Sequence, residues 1–214
     1  MKKPAVLLLA STLALTLTLP GIAFAFDPAA TAARIKELGL KVDGYKEATP
    51  ETVKDATSLP LGAAKGVTEA DLEMIMAIPK LNLISANTDS ALTTNGFRIL
   101  AKDGKLTRIN LNAASLSDES LEVIATMSNL TEVSLVGAKG ITSAGVAKLA
   151  ALKKLRILRL DQLGLSDEAF KGFADHPQLM QVDVNNTNGL TDKTLEYLGG
   201  MPKFAYFYAE KTGV

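Results

Sequence analysis

Three short pairs set a hydroxyl beside a carboxylate: Ser117-Asp118, Ser166-Asp167 and Thr191-Asp192. Such pairs are raw material for nucleophilic catalysis, and the lone His176 would be the base that completes them. Each pair, however, opens a run of apolar residues spaced three or four apart, always at the same phase of a longer pattern. That phase is a helix start. There the hydroxyl satisfies a free backbone N–H, and the carboxylate faces the positive end of the helix dipole. Capping explains the recurrence, and catalysis does not. His176 sits in ADHPQL, at a helix end beside Pro177, and only one unit contains it. Asp118-Glu119 and Asp167-Glu168 read as solvated dipole partners on helix first turns rather than a general acid–base pair.

Two further stretches invite a chemical reading. In DVNNTNGLTDKTLE (183–196), Asn188 stands where a calcium loop needs glycine and Thr194 where it needs a bidentate glutamate. It reads as a strand followed by a polar turn. GAAKG (62–66) lacks the spacing of a phosphate loop and reads as a connection. The chain has no Cys, so thiol nucleophiles, disulfides and thiolate metal sites are excluded. No catalytic, cofactor-binding or metal-ligating residue is assigned, and no enzyme is expected.

The elements behind these pairs form a repeat. Units with one beat begin at Val67, Leu92, Leu116, Ile141, Leu165 and Leu190, at spacings of 25, 24, 25, 24 and 25 residues. A period in this range marks a stacked-repeat protein. Each unit opens on a capping hydroxyl: Thr68, Thr93, Ser117, Thr142, Ser166 and Thr191. A helix-spaced apolar stripe follows, as in Leu121, Ile124, Met127 and Leu130. The unit closes on L-x-x-L-x-L, whose last two apolar positions alternate with polar ones, as in a strand with one buried face. The copies end at Ile84/Ala86, Ile109/Leu111, Val133/Leu135, Leu158/Leu160, Val182/Val184 and Phe207/Ala209. Helix crossovers make successive strands parallel. A single unit buries too little to offset the ordering of its own backbone, so the units must stack.

These motifs resemble the leucine-rich repeats, over about residues 56–214. The [ST]-D-x-x-L helix starts and alternating lengths look most like the ribonuclease-inhibitor and cysteine-containing subclasses. The resemblance implies a right-handed α/β solenoid, a horseshoe segment with a parallel sheet on its concave face and helices on its convex face. It implies a binding scaffold, not one activity. The ninth position of the strand motif, often Asn or Cys in the family, holds Asp89, Ala114, Ala138, Leu163, Thr187 and Thr212, so an asparagine ladder at that turn is not expected.

Residues 1–25 read as an export signal of an exported bacterial protein. Lys2 and Lys3 are followed by an apolar run, Ala5 to Leu19, and by Ala23-Phe24-Ala25 as a cleavage pattern. A retained anchor is the alternative, although 15 residues fall short of the roughly 20 that span a bilayer. Without Lys2 and Lys3 the chain has 21 basic and 23 acidic residues, a net charge of −2. No basic excess points to nucleic acid. The expected location is periplasmic or extracellular, with no stable membrane insertion after cleavage. Residues 26–66 read as an N-terminal cap. In it DPAATAARIKELG forms a helix started by Asp27 and Pro28, ended by Gly39 and apolar at Ala33, Ile35 and Leu38. A polar turn and an imperfect leading strand at ATSLPLG follow. Six repeats fill 67–214.

The remaining candidate is the exposed sheet face. By alternation it displays Arg108, Asn110, Asn112, Glu132, Arg159, Asp161, Gln181, Asp183, Asn185, Tyr206 and Tyr208. Arg and Tyr are enriched in binding hot spots. No column repeats one residue type, so no ladder for a polymeric ligand is expected. A protein partner is the first expectation and a cell-wall or extracellular glycan the second. A strand at 204–209 would be an open edge beside Phe204 and Phe207, either a modified cap or a surface for self-association.

Overall fold

The computed structural model describes residues 25–214 apart from 63, 65 and 88–91. The expected export signal, save Ala25, and Asp89 lie outside the described residues.

Seven short strands form one parallel sheet in strict sequence order. They are β1 (Ser58–Pro60), β2 (Leu83–Ser85), β3 (Arg108–Asn110), β4 (Glu132–Ser134), β5 (Ile157–Arg159), β6 (Gln181–Asp183) and β7 (Tyr206–Tyr208). Register partners fall one repeat apart, so Ile109, Val133, Leu158 and Val182 occupy one row. Leu111, Leu135, Leu160 and Val184 lie two residues further along each strand and are fully buried. One continuous apolar core thus runs from Ala32 to Met201. The helices on the opposite side are α3 (Glu69–Met76), α4 (Thr94–Ala101), α5 (Asp118–Ile124), α6 (Ser143–Lys148) and α7 (Asp192–Leu198).

Thr68, Thr93, Ser117, Thr142 and Thr191 cap these helices through their side-chain oxygens, as expected. Ser166 does not. Its repeat forms two 3-10 turns, Asp167–Ala169 and Lys171–Phe173, instead of an α-helix. Phe170 and Phe173, three apart, are both fully buried there, and a three-residue period keeps both on one face.

The strand ends share a turn. Ala113, Gly137, Gln162, Asn186 and Lys211 all have φ near +60°. In the first, second and fourth of these turns the next residue's N–H bonds back three residues, as in Ala114 N to Leu111 O at 3.1 Å. A type II turn requires this left-handed residue at its third place, and only Gly137 adopts it without steric cost.

The leading segment carries α1 (Pro28–Glu37), which Asp27 caps as expected, and α2 (Pro50–Lys54). The polar composition over the α2 region predicts a turn, and the structure differs. Thr49 and Thr52 form a capping box that makes a helix of one and a half turns stable there. Ala32, not Ala33, faces the core with Ile35 and Leu38. Arg34 makes a two-pronged pair with buried Asp71 of α3 at 2.7 and 3.1 Å, joining this segment to the first repeat. Asp43 accepts from the Thr57 and Ser58 N–H groups at 2.9 and 3.0 Å, covering amides at the start of the sheet. Partial burial alone would raise its pKa. Lys46 and these amides outweigh that and hold it at about 2.

The first residues of α3, α4, α5 and α6 and of the Asp167–Ala169 turn reach the next repeat. Glu69 accepts from Asn95, Thr94 pairs with Ser120, and Ser143 accepts from the Ser166 N–H. Asp118 accepts from the N–H and hydroxyl of Thr142 at 2.8 and 2.7 Å. Asp167 accepts from the N–H and hydroxyl of Thr191 and from the hydroxyl of buried Thr194, at 2.9, 2.8 and 2.6 Å. Asp118 and Asp167 are therefore not solvated dipole partners, as the sequence suggested. Each latches one repeat to the next helix start. Burial alone would raise the Asp167 pKa, but the Thr194 and Thr191 bonds lower it.

Asp167→Ala is predicted to cost about 2–3 kcal/mol in urea denaturation, because it strands the Thr194 hydroxyl and a helix-start amide. Asp192→Ala, at the same place in the last repeat and exposed, is predicted to cost under about 1 kcal/mol.

Candidate functional site

The hydroxyl–carboxylate pairs are structural, and so is His176. Its side chain is 1% exposed. One ring nitrogen, Nε2, lies 2.9 Å from Leu152 O in the preceding repeat, and Nδ1 accepts from the Leu179 N–H at 3.0 Å. Those partners fix one neutral tautomer, with Nε2 donating and Nδ1 accepting. Burial lowers its pKa below the usual histidine value. The stretch 183–196 divides between strand, turn and helix, with Thr194 bound to Asp167. Among the described residues no group of three His, Cys, Asp or Glu is placed to hold a metal ion.

Alternation places residues three and five of the strand motif on the solvent side of the sheet. The residue just past the strand forms a further column: Asn87, Asn112, Val136, Asp161, Asn185 and Glu210. Here the structure corrects the expectation that no column repeats a residue type. Four of its six members are Asn or Asp, and those with resolved bonds run along the sheet. Asn112 Oδ1 accepts from the Val136 N–H at 3.1 Å and the Ser134 hydroxyl at 2.7 Å. Asp161 Oδ1 accepts from the Asn185 N–H at 2.9 Å and its amide at 2.6 Å. Asn185 Oδ1 accepts from the Glu210 N–H at 2.9 Å. This ladder extends the hydrogen bonding of the sheet past the strand ends. At the ninth position Ala114, Ala138, Leu163 and Thr187 are buried, with the Thr187 hydroxyl donating to Leu160 O at 3.0 Å.

The other face residues sort into two groups. Arg159 is held between Glu132 of β4 and Asp183 of β6, the latter at Nε–Oδ2 3.2 Å. Gln181 Nε2 donates to both Asp183 oxygens at 2.9 and 3.1 Å. Asp183 is nearly covered, and burial raises its pKa although Gln181 and Arg159 oppose the shift. Arg108 is exposed and donates to Asn82 Oδ1 at 3.3 Å, and Asn110 Oδ1 accepts from the Asn112 N–H. Tyr206 and Tyr208 are 52% and 49% exposed. Tyr206, Gln181, Ile157 and Glu132 are consecutive register partners across β7 to β4. With Thr131, Arg156 and Met180 they line a groove of about 240 Å³. A second cavity of about 370 Å³ lies at the other end of the sheet, lined by Lys41, Pro60, Ser85, Asn110 and Asn112 among others. Sequence alternation missed Arg156 and Met180, which precede the strands.

A strictly ordered parallel sheet with one helix or helical turn per crossover, on a 24–25-residue period, is an α/β solenoid of the leucine-rich-repeat kind. An internalin, InlF, from Listeria monocytogenes has this fold, with a TM-score of 0.55 at 19% identity over 76% of this chain and 44% of that chain. The chain therefore spans less than half of the internalin. A TLR13–ssRNA13 complex aligns at a TM-score of 0.47 and 16% identity, over 76% of this chain and 30% of that chain. No protein-family model and no curated protein matches the sequence.

A folded-state histidine pKa below the unfolded value of about 6.5 makes the unfolded chain bind more protons near pH 6. The stabilisation is complete above about pH 6.5 and is lost as pH falls below it. His176→Gln keeps a donor and an acceptor without titrating. The melting temperature of the natural protein is predicted to fall more than that of the variant between pH 7.5 and 5.

Proposed function

We propose that the chain is an exported, non-enzymatic binding scaffold that engages a protein partner through the solvent face of its sheet. Residues 1–25 act as the export signal, 26–66 as the cap and 67–214 as the six repeats. The Tyr pair carries this reading. Tyr206 and Tyr208 stand half exposed on a strand whose backbone is fixed by β6, beside a groove. Rigid aromatic side chains of this kind anchor protein interfaces at little entropic cost. Arg108, Glu132, Arg159 and Gln181 supply the polar contacts. Asn112, Asp161 and Asn185 belong to the same face and also brace the sheet through their side-chain oxygens. The near-balanced charge of the chain argues against nucleic acid as the partner. No helix of the described residues is long and apolar enough to cross a membrane.

A glycan is the second reading. The larger cavity, about 370 Å³ with Lys41, Ser85, Asn110 and Asn112 in its wall, has the polar lining a sugar requires. A peptidoglycan pull-down with the natural protein and Asn110→Ala separates the two.

A partner captured from the native envelope and purified provides the test. Tyr206→Ala/Tyr208→Ala is predicted to weaken its binding at least about 100-fold, as two hot spots would. The melting temperature should stay within a few degrees, since both rings are exposed. Unchanged affinity would remove the sheet face as the site.

A further inference from the structure

The groove across β4 to β7 has a chemistry that defines its occupant further. This step rests on the scaffold reading. Its floor is apolar, from Ile157 and Met180, and Tyr206 closes one end. Its charges are unequal. Glu132 is neutralised by Arg159, and Arg159 also meets Asp183. Arg156 is exposed, and among the described residues its guanidinium makes one hydrogen bond, to Met180 Sδ at 3.3 Å. Among the described residues no carboxylate lies within ion-pair distance of it. The groove therefore presents one uncompensated guanidinium beside an apolar floor.

We infer that the groove receives an extended segment of a partner polypeptide carrying a carboxylate for Arg156 and a bulky apolar side chain for Ile157, Met180 and Tyr206. A guanidinium offers a carboxylate two parallel N–H donors, which fixes orientation as well as charge. The spacing follows from the register. Arg156 stands beside Met180 because Ile157 pairs with Gln181, and Gln181 pairs with Tyr206. Arg156 and Tyr206 are thus two strand spacings apart, about 10 Å. A peptide in the extended polyproline II conformation covers that in three residues at about 3.1 Å each, and its three-residue turn brings the first and fourth side chains to the same face. The preferred segment has Asp or Glu three residues from Leu or Phe.

Two blocked hexapeptides test this, one with Asp three residues before Leu and a twin with Lys in place of Asp. Each is titrated into the ¹⁵N-labelled protein and followed by amide shifts. The Asp peptide should move the Ile157, Met180, Gln181 and Tyr206 resonances and bind at least tenfold more tightly than its twin. Arg156→Glu, an exposed substitution whose folding circular dichroism checks, should invert that preference. Equal affinity for the twins, shifts elsewhere on the sheet, or no shift at millimolar peptide would each overturn the proposal. If such a result came alongside loss of partner binding by the Tyr pair variant, the scaffold reading would stand while this one fell.

Discussion

Every repeat leaves polar backbone groups that only its neighbour can satisfy. A three-residue strand has no hairpin partner of its own, so its N–H and C=O groups must meet the strands before and after it. The molecule extends this dependence beyond the sheet with side chains. The first residues of α3 to α6 and of the Asp167–Ala169 turn cross to the next helical segment, and the Asn/Asp column past the strands crosses to the next turn. At Asp118, Ser143 and Asp167, and along the column, a backbone amide is taken up by a side-chain oxygen. Where the oxygen is a carboxylate, as in Asp118, Asp161 and Asp167, the bond is of the stronger, charge-assisted kind. The apolar spine supplies most of the free energy, and these bonds fix the register in which it is buried.

This has a consequence for the surface. Polar residues past the strands look available from their sequence positions, yet their oxygens serve the turns. The groups proposed to meet a partner are centred on the strands and just before them: the Glu132–Arg159–Asp183–Gln181 cluster, Arg108, Arg156 and the two tyrosines. Those on β2 to β6 rest on backbone bonded on both sides, and the tyrosines rest on β7, bonded to β6 alone, so they are positioned before any partner arrives. Preorganisation of this kind lowers the entropic cost of association.

Most of the fold was legible because a repeat states its rule several times. The six spine pairs, the helix-start hydroxyls and the parallel order all follow from one period. What was not legible depended on contacts between repeats or on local competition. Asp118 and Asp167 look like helix-start acids within one unit, and only the neighbouring unit reveals them as latches. The same holds for Asn112, Asp161 and Asn185: they form a visible column when the repeats are aligned, but alternation alone assigns them to solvent. Ser166 carries the capping signature of its fellows, and burial of both Phe170 and Phe173 tightens the helix it would cap. The α2 helix was hidden because its five residues carry too short an apolar pattern to register. Its capping box, Thr49 to Thr52, was the available signal. The Tyr pair was legible from alternation alone, whereas the Arg156 side of the groove was not, since it lies one residue before the strand.

Amide hydrogen exchange under native conditions tests the dependence between repeats most directly. The Val136 and Asn185 amides have side-chain acceptors, Asn112 and Asp161, from the preceding repeat. They are predicted to exchange as slowly as the Leu135 and Val184 amides of the spine, and Asn112→Ala should speed exchange at Val136 by at least tenfold. Exchange at both positions as fast as in exposed turns of the natural protein would contradict the account, because it would show that the repeats are not joined there.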